Sequence, residues 1–375
     1  MTRLSLLLSA SLIGLTAAPV FAEETGTVFS TNPGVRLSFS GQVNRGVLFA
    51  DDGEETETFF VDNDNSSTRF RFKAEGDIAS NTVAGINIEI EAESNSTAEV
   101  SQDRRNVSDV EFLNPRKLEF FIAGDNFGRV TVGMGDTVSN NASEVDLSGT
   151  AVVGYSSVED AAGGIQFRDG AGNLSGTTIG AAFTNLDGLS RQDRLRYDTP
   201  SFGGLTLSAS AGVAGSGETG DEFYDVAARY KGNFGAVKVD SALAYVQTPN
   251  DDEIVNGSVS FLHEDSGLSL TLAGATMEFD DPTDDRDTLF GYVKVGYKTD
   301  AITQMGKTAF AIDYAYNEDV LQVGDESTSV GLLAVQNITA INSELYVGVR
   351  NYELERPGAS FEDVTIILAG ARIRF

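Results

Sequence analysis

The sequence predicts an all-β transmembrane fold, an antiparallel up-and-down barrel of about 16 strands closed on itself. Three observations carry this. Segment after segment alternates apolar and polar residues with a period of two. The apolar face recurs in every segment, yet the chain offers no second layer of elements to cover it. A closed ring with lipid outside and water inside satisfies both faces, and every backbone amide, at once. The composition agrees: 40 Gly, 11 Tyr and 23 Phe against 7 Pro and 1 His suit short twisted strands joined by tight turns. With no cysteine, disulfides and thiolate metal sites are excluded. A pI near 4.2 argues against a nucleic-acid partner.

Taken in order, the chain opens with Met1-Thr2-Arg3, an apolar run from Leu4 to Leu15, and a small-residue stretch ending at Ala22. This reads as a secretory signal peptide over residues 1–22, leaving residues 23–375 as a single domain. No other apolar run approaches the roughly 18 residues of a spanning helix. Val35–Asn44 is the first strand, with Val35, Leu37, Phe39 and Val43 opposite Arg36, Ser38, Ser40, Gln42 and Asn44. Residues 51–65 read as an acidic loop. Strands follow at Thr68–Lys73, Ile86–Glu91, Lys117–Ala123 and Arg129–Gly135. Residues 136–193 break the rhythm with a long loop rich in Gly, Ala and Ser, a length that in a compact domain marks either a functional loop or a misread element. Small pairings at Ile165–Phe167 and Thr177–Phe183 are expected inside it.

Alternation resumes at Arg194–Tyr197 and continues through ten further strands, from Leu205–Val213 to Val364–Phe375. Short links such as Glu264–Gly267 alternate with long acidic ones, which fixes the up-and-down order. In the last strand Ile373, Ala371, Ala369, Ile367 and Thr365 share one face, and Arg374, Arg372, Gly370 and Leu368 the other. That strand must pair with the first to close the ring.

Three motifs receive sharper and blander readings. Gly215-Ser216-Gly217-Glu218-Thr219-Gly220 has dinucleotide-binding spacing, but an alternating strand follows it where a helix is required, so it is a glycine loop. Asp62-Asn63-Asp64-Asn65-Ser66 has the start of a calcium loop, but Lys73 stands where the closing Glu belongs. Asp280, Asp281, Asp284, Asp285 and Asp287 read as a solvated acidic loop, with a hard cation such as calcium, Ca2+, as the alternative. No other cofactor is expected. His263 sits at a short turn beside Glu264 and Asp265, a poor place for a catalytic triad, so the chain is not read as an enzyme.

The leader, the terminal Phe375, Gly128-Arg129-Val130-Thr131-Val132-Gly133 running into the long loop, and Arg196-Tyr197-Asp198-Thr199-Pro200-Ser201-Phe202-Gly203-Gly204 together resemble the Gram-negative general porins. Met134 stands where related porins often carry an Arg. The resemblance implies an outer-membrane, water-filled channel for passive diffusion of small hydrophilic solutes and ions, assembled as a homotrimer. It implies that residues 136–193, as the third outer loop, fold inward as a constriction. There Asp136, Glu144, Asp146, Glu159 and Asp160 would face a basic wall of Arg36, Arg69, Arg71, Lys73, Arg194, Arg196, Arg350, Arg372 and Arg374, which strand parity points into the lumen. Phe375 would belong to the signal read by the barrel assembly machinery, and the partners would be outer-membrane lipid and lipopolysaccharide. Trimer contacts are expected near both termini, where Gly41 and Gly370 permit close approach. The acidic excess in the long loops predicts a weak to moderate cation preference. The alternatives are a substrate-specific channel, or a surface β protein with adhesive or cation-binding loops.

Overall fold

The computed structural model describes residues 27–32, 34–107, 112–214, 222–281 and 283–375. The leader at residues 1–22 and the Gly215–Gly220 motif lie outside them.

The chain runs β1 (Thr27–Asn32), β2 (Val35–Asp51), β3 (Thr56–Asp62), β4 (Arg69–Ala79), β5 (Thr82–Ala92), β6 (Leu113–Gly124) and β7 (Gly128–Asp136). A small hairpin, β8 (Gln166–Arg168) with β9 (Leu174–Thr178), and one helical turn, α1 (Ile179–Ala182), interrupt the series. The wall resumes with β10 (Arg191–Asp198), β11 (Leu205–Val213), β12 (Glu222–Phe234), β13 (Val237–Gln247), β14 (Glu253–His263) and β15 (Leu268–Glu278). It ends with β16 (Asp287–Thr299), β17 (Thr308–Glu318), β18 (Glu326–Ile338), β19 (Ser343–Glu355) and β20 (Val364–Arg374).

Each wall strand pairs antiparallel with its neighbour in sequence, β7 pairs with β10 across the long loop, and β20 returns to β2. β3 and β4 pair with successive halves of β2 and occupy one wall position, so the ring has 16. Closure removes every sheet edge, which is the condition for β structure in lipid. Beyond β20, Phe375 and Gly41 exchange backbone hydrogen bonds of 2.8 and 2.9 Å, and β1 continues the pairing along β2 from Phe39 to Val35. The C-terminal strand and β1 thus form one composite strand against β2.

The alternation places Val43, Phe49, Leu345, Val347, Ile367 and Ile373 on the outside as exposed apolar residues. Two expectations differ from the structure. The acidic loop of residues 51–65 contains β3, because Phe59 and Val61 turn inward and are buried. The lumen is not polar all round: Leu48, Leu333, Tyr352, Leu354, Ile366 and Leu368 face inward and are buried. What covers them is the long loop.

The pore and its constriction

Residues 137–190, between β7 and β10, fold into the barrel. Their apolar side chains, among them Val152, Val153, Val158, Ile165, Phe167, Ile179 and Phe183, form one core with inward apolar residues of β2, β3 and β13 to β20. Apolar packing therefore fixes the loop to the wall from β13 round to β3. Phe183 meets Tyr352 edge-on at 5.4 Å, and the Tyr352 hydroxyl donates to the Val158 carbonyl at 2.7 Å.

Polar anchors set the loop's course. Ser139 donates to Asp225 of β12, and the backbone amides of Val145 and Leu147 donate to Ser258 and Ser260 of β14 at 2.9 Å each. Lys294 of β16 reaches Asp146 at 2.7 Å and the Gly154 carbonyl at 2.6 Å. Asn63 donates to the Val152 carbonyl at 2.7 Å, on the far side of the barrel. Where the loop leaves the wall, Arg194, Arg196 and Arg229 donate to the carbonyls of Asp136, Thr137, Val138 and Asn140. These arginines hold the root of the constriction.

The expected acidic residues divide into two groups. Asp136 is paired with Lys117 and lies 3.4 Å from Arg191, and Asp146 is consumed by Lys294, which is fully buried. Asp146 therefore does not face the arginine wall, contrary to expectation. Glu144, Glu159 and Asp160 are partly exposed and, among the described residues, pair with no cation: Glu144 accepts from Asn185, Glu159 from Ser157, and Asp160 from Tyr155. Asp187 joins them, accepting from the amides of Ser143 and Asn141. Across the gap, Asp64, Glu91 and Glu93 bring carboxylate oxygens within 4.8 Å of one another. Burial pushes the carboxyls of Glu144 and Asp160 well up, and that of Asp187 up to about 7, with the neighbouring acids adding to the rise for Glu144 and Asp160.

The arginines expected on the basic wall are largely neutralised by wall acids. Arg71 pairs with Glu89, directly opposite in register, and Arg69 lies 3.9 Å from the same carboxylate. Arg194 meets Glu119 at 2.7 Å, a contact that Gly135 permits because a Cβ there would fall 2.4 Å from the carboxylate. Arg196 pairs with Asp198 at 2.8 Å, while Arg372 and Arg374 share Glu344. Three positions depart from the expectation. Arg36 sits at the turn end of β2 on Asp77 and Glu75, with Lys73 on the same Glu75, away from the constriction. Arg350 is buried under the loop on Asp313 at 2.9 Å.

Parity did not find Arg116 and Lys117, which pair with Glu89, Glu91 and Asp136. The register of β6 slips by one residue between the partners of Glu89 and Ile90. Pro115, which cannot donate to the ladder, marks that bulge in the sequence.

Among the described residues, the outer-loop aspartates make local contacts. Asp284 pairs with Arg286 at 2.6 Å, Asp281 accepts from Thr283, and the Asp280 amide donates to Asp252. Gly370 faces the lumen beneath the Tyr346 hydroxyl and cannot serve an outer contact, while the space over Gly41 is filled by the Phe375 ring.

A closed ring of 16 antiparallel strands, apolar outside and narrowed by an inward loop, defines an outer-membrane channel for passive diffusion. The chain belongs to the Gram-negative porin family, which it matches over residues 9–356. Its fold is similar to that of the anion-selective porin from Comamonas acidovorans, at 16% identity over 91% of this chain and 100% of that one, with a TM-score of 0.62. OmpT, an outer membrane protein of Vibrio cholerae, gives 12% identity over 93% and 99% with a TM-score of 0.61. Salmonella typhi OmpF in complex with daunomycin gives 14% over 93% and 100% with a TM-score of 0.58. At these identities what is shared is the fold. No curated protein matches the chain in sequence.

Proposed function

We propose that the protein is a general-diffusion porin for small hydrophilic solutes with a weak cation preference, secreted through a leader cleaved after Ala22 and assembled as a homotrimer. One observation supports the preference: Glu144, Glu159 and Asp160 of the constriction loop stand, among the described residues, without cation partners, while the arginines expected on the wall are largely paired with wall acids. The excess field in the narrow zone is then negative and concentrates cations. Burial, which raises the carboxyls of Glu144, Asp160 and Asp187, disfavours their charged forms and keeps the effect small. The Comamonas porin is described as anion-selective; the paired bases here favour the opposite sign. A trimeric form of the Vibrio OmpT is known, and the outer face of β2 and β20 gives this chain a surface of Val47, Ala369 and Ala371 on which copies can meet.

The test is liposome swelling with a monocationic and a monoanionic solute of equal size. The expected result is faster entry of the cation, with the difference lost in Glu144→Gln/Glu159→Gln/Asp160→Asn. Faster anion entry would refute the assignment.

A further inference from the structure

The wall below the constriction loop carries a second charged feature of opposite sign. Lys238 opens β13, Lys298 closes β16 and Lys307 precedes β17, all at the short-turn end of the barrel. Strand parity points all three inward, with Ala242 and Ala244, with Lys294, and with Ala309 and Ala311. Lys298 stands opposite Ala309 in register, on the same face and two residues along the chain from Lys307. Its stem packs under the loop, where a Cβ on Gly149 would lie 2.9 Å from Lys298 Cδ.

The acids that could neutralise this group are engaged elsewhere. Asp146 is held by Lys294 at 2.7 Å and Asp240 by Lys231 at 3.0 Å. Glu264, Asp265 and Asp300 are exposed in the turns and, among the described residues, form no ion pair with the three lysines. In register, Lys238 stands opposite Leu262, Leu262 opposite Ser269, and Ser269 opposite Gly296. The hydroxyl of Ser269 in that row is buried and without a hydrogen-bond partner.

We infer that Lys238, Lys298 and Lys307 form a subsite for small multivalent anions of the phosphate type at the inner mouth, in series with the acidic constriction. Three inward ammonium groups at one end of the lumen raise the local concentration of a polyvalent anion far more than that of chloride. The acidic loop above hinders its passage onward, so an anion arriving from the short-turn side lodges there and obstructs the pore. This subsite rests on the channel reading.

The test is block of the potassium chloride current through single pores in a planar bilayer by inorganic pyrophosphate, added to one chamber and then the other. At low salt, block from one side should exceed block from the other by about threefold. The asymmetry should vanish near 1 M salt, where screening shortens to about 3 Å. Lys238→Gln/Lys298→Gln/Lys307→Gln should conduct potassium chloride within about twofold of wild type and lose the asymmetry. Equal block from both sides, or an asymmetry that survives in the triple variant, would overturn the subsite. A wild type that does not conduct potassium chloride would overturn the channel reading itself.

Discussion

Asp146→Asn should loosen the constriction rather than alter its charge. Asp146 and Lys294 form a pair at 2.7 Å in which the side chains are 5% and 0% exposed. Neutralising the carboxylate leaves an ammonium sealed from water without its counter-charge, hydrogen-bonded to Thr150 Oγ1 at 3.2 Å and the Gly154 carbonyl at 2.6 Å. Breaking a buried pair on one side costs about 3–5 kcal/mol, whereas replacing both partners by apolar residues is near neutral. The strain falls on the segment that carries Asp146, Thr150 and Gly154 across the lumen, so that segment should leave the wall. Single-channel recording should show a larger and noisier conductance for Asp146→Asn, and heat denaturation in detergent a lower midpoint. Asp146→Leu/Lys294→Met should restore a quiet channel. A quiet Asp146→Asn pore with an unchanged midpoint would refute the buried anchor.

Further outcomes follow from the same geometry. Ile367→Lys puts a charge on the lipid face between Phe49 and Val349 and should cost about 2–4 kcal/mol near the midplane, while Ser38→Lys on the lumen face should fold normally in lipid vesicles. Equal refolding yields would contradict the face assignment. Because the Asp187 carboxyl is pushed up to about 7, it gains charge as pH rises through that value, so the cation preference should strengthen from pH 6 to pH 8. Asp187→Asn should flatten that slope, and an unchanged slope would exclude Asp187 as its source. Phe375→Ala removes the ring that meets Phe39 at 5.7 Å and fills the space over Gly41. Surface levels of the assembled barrel should fall; unchanged levels would remove Phe375 from the assembly step.

Much of this architecture is written in two-residue periodicity. Alternation assigns Ile367 to lipid and Arg372 to the lumen without reference to any partner. Periodicity does not say who stands opposite. Arg71 meets Glu89 only through the register of β4 against β5. Arg350 meets Asp313 across an intervening Gly331, where a Cβ would fall 2.5 Å from the carboxylate. The expected basic ladder therefore read as free charge when it is mostly paired. The inward face of β20 also reads ambiguously, since Ile366 and Leu368 lie in line with Arg372 and Arg374. Their apolar character makes sense only against Val152 and Phe183 from a distant loop. Such non-local burial leaves no local pattern, and the same holds for β3, hidden in an acidic stretch.

Whether unpaired acids of the inward loop govern a pore whose arginine wall is neutralised is read from the zero-current potential under a potassium chloride gradient at pH 8. The potential should have a cation-preferring sign, collapse toward zero in Glu144→Gln/Glu159→Gln/Asp160→Asn/Asp187→Asn, and change little in Arg71→Gln/Glu89→Gln. A wild-type potential of anion-preferring sign, or one untouched by loss of the four acids, would contradict it.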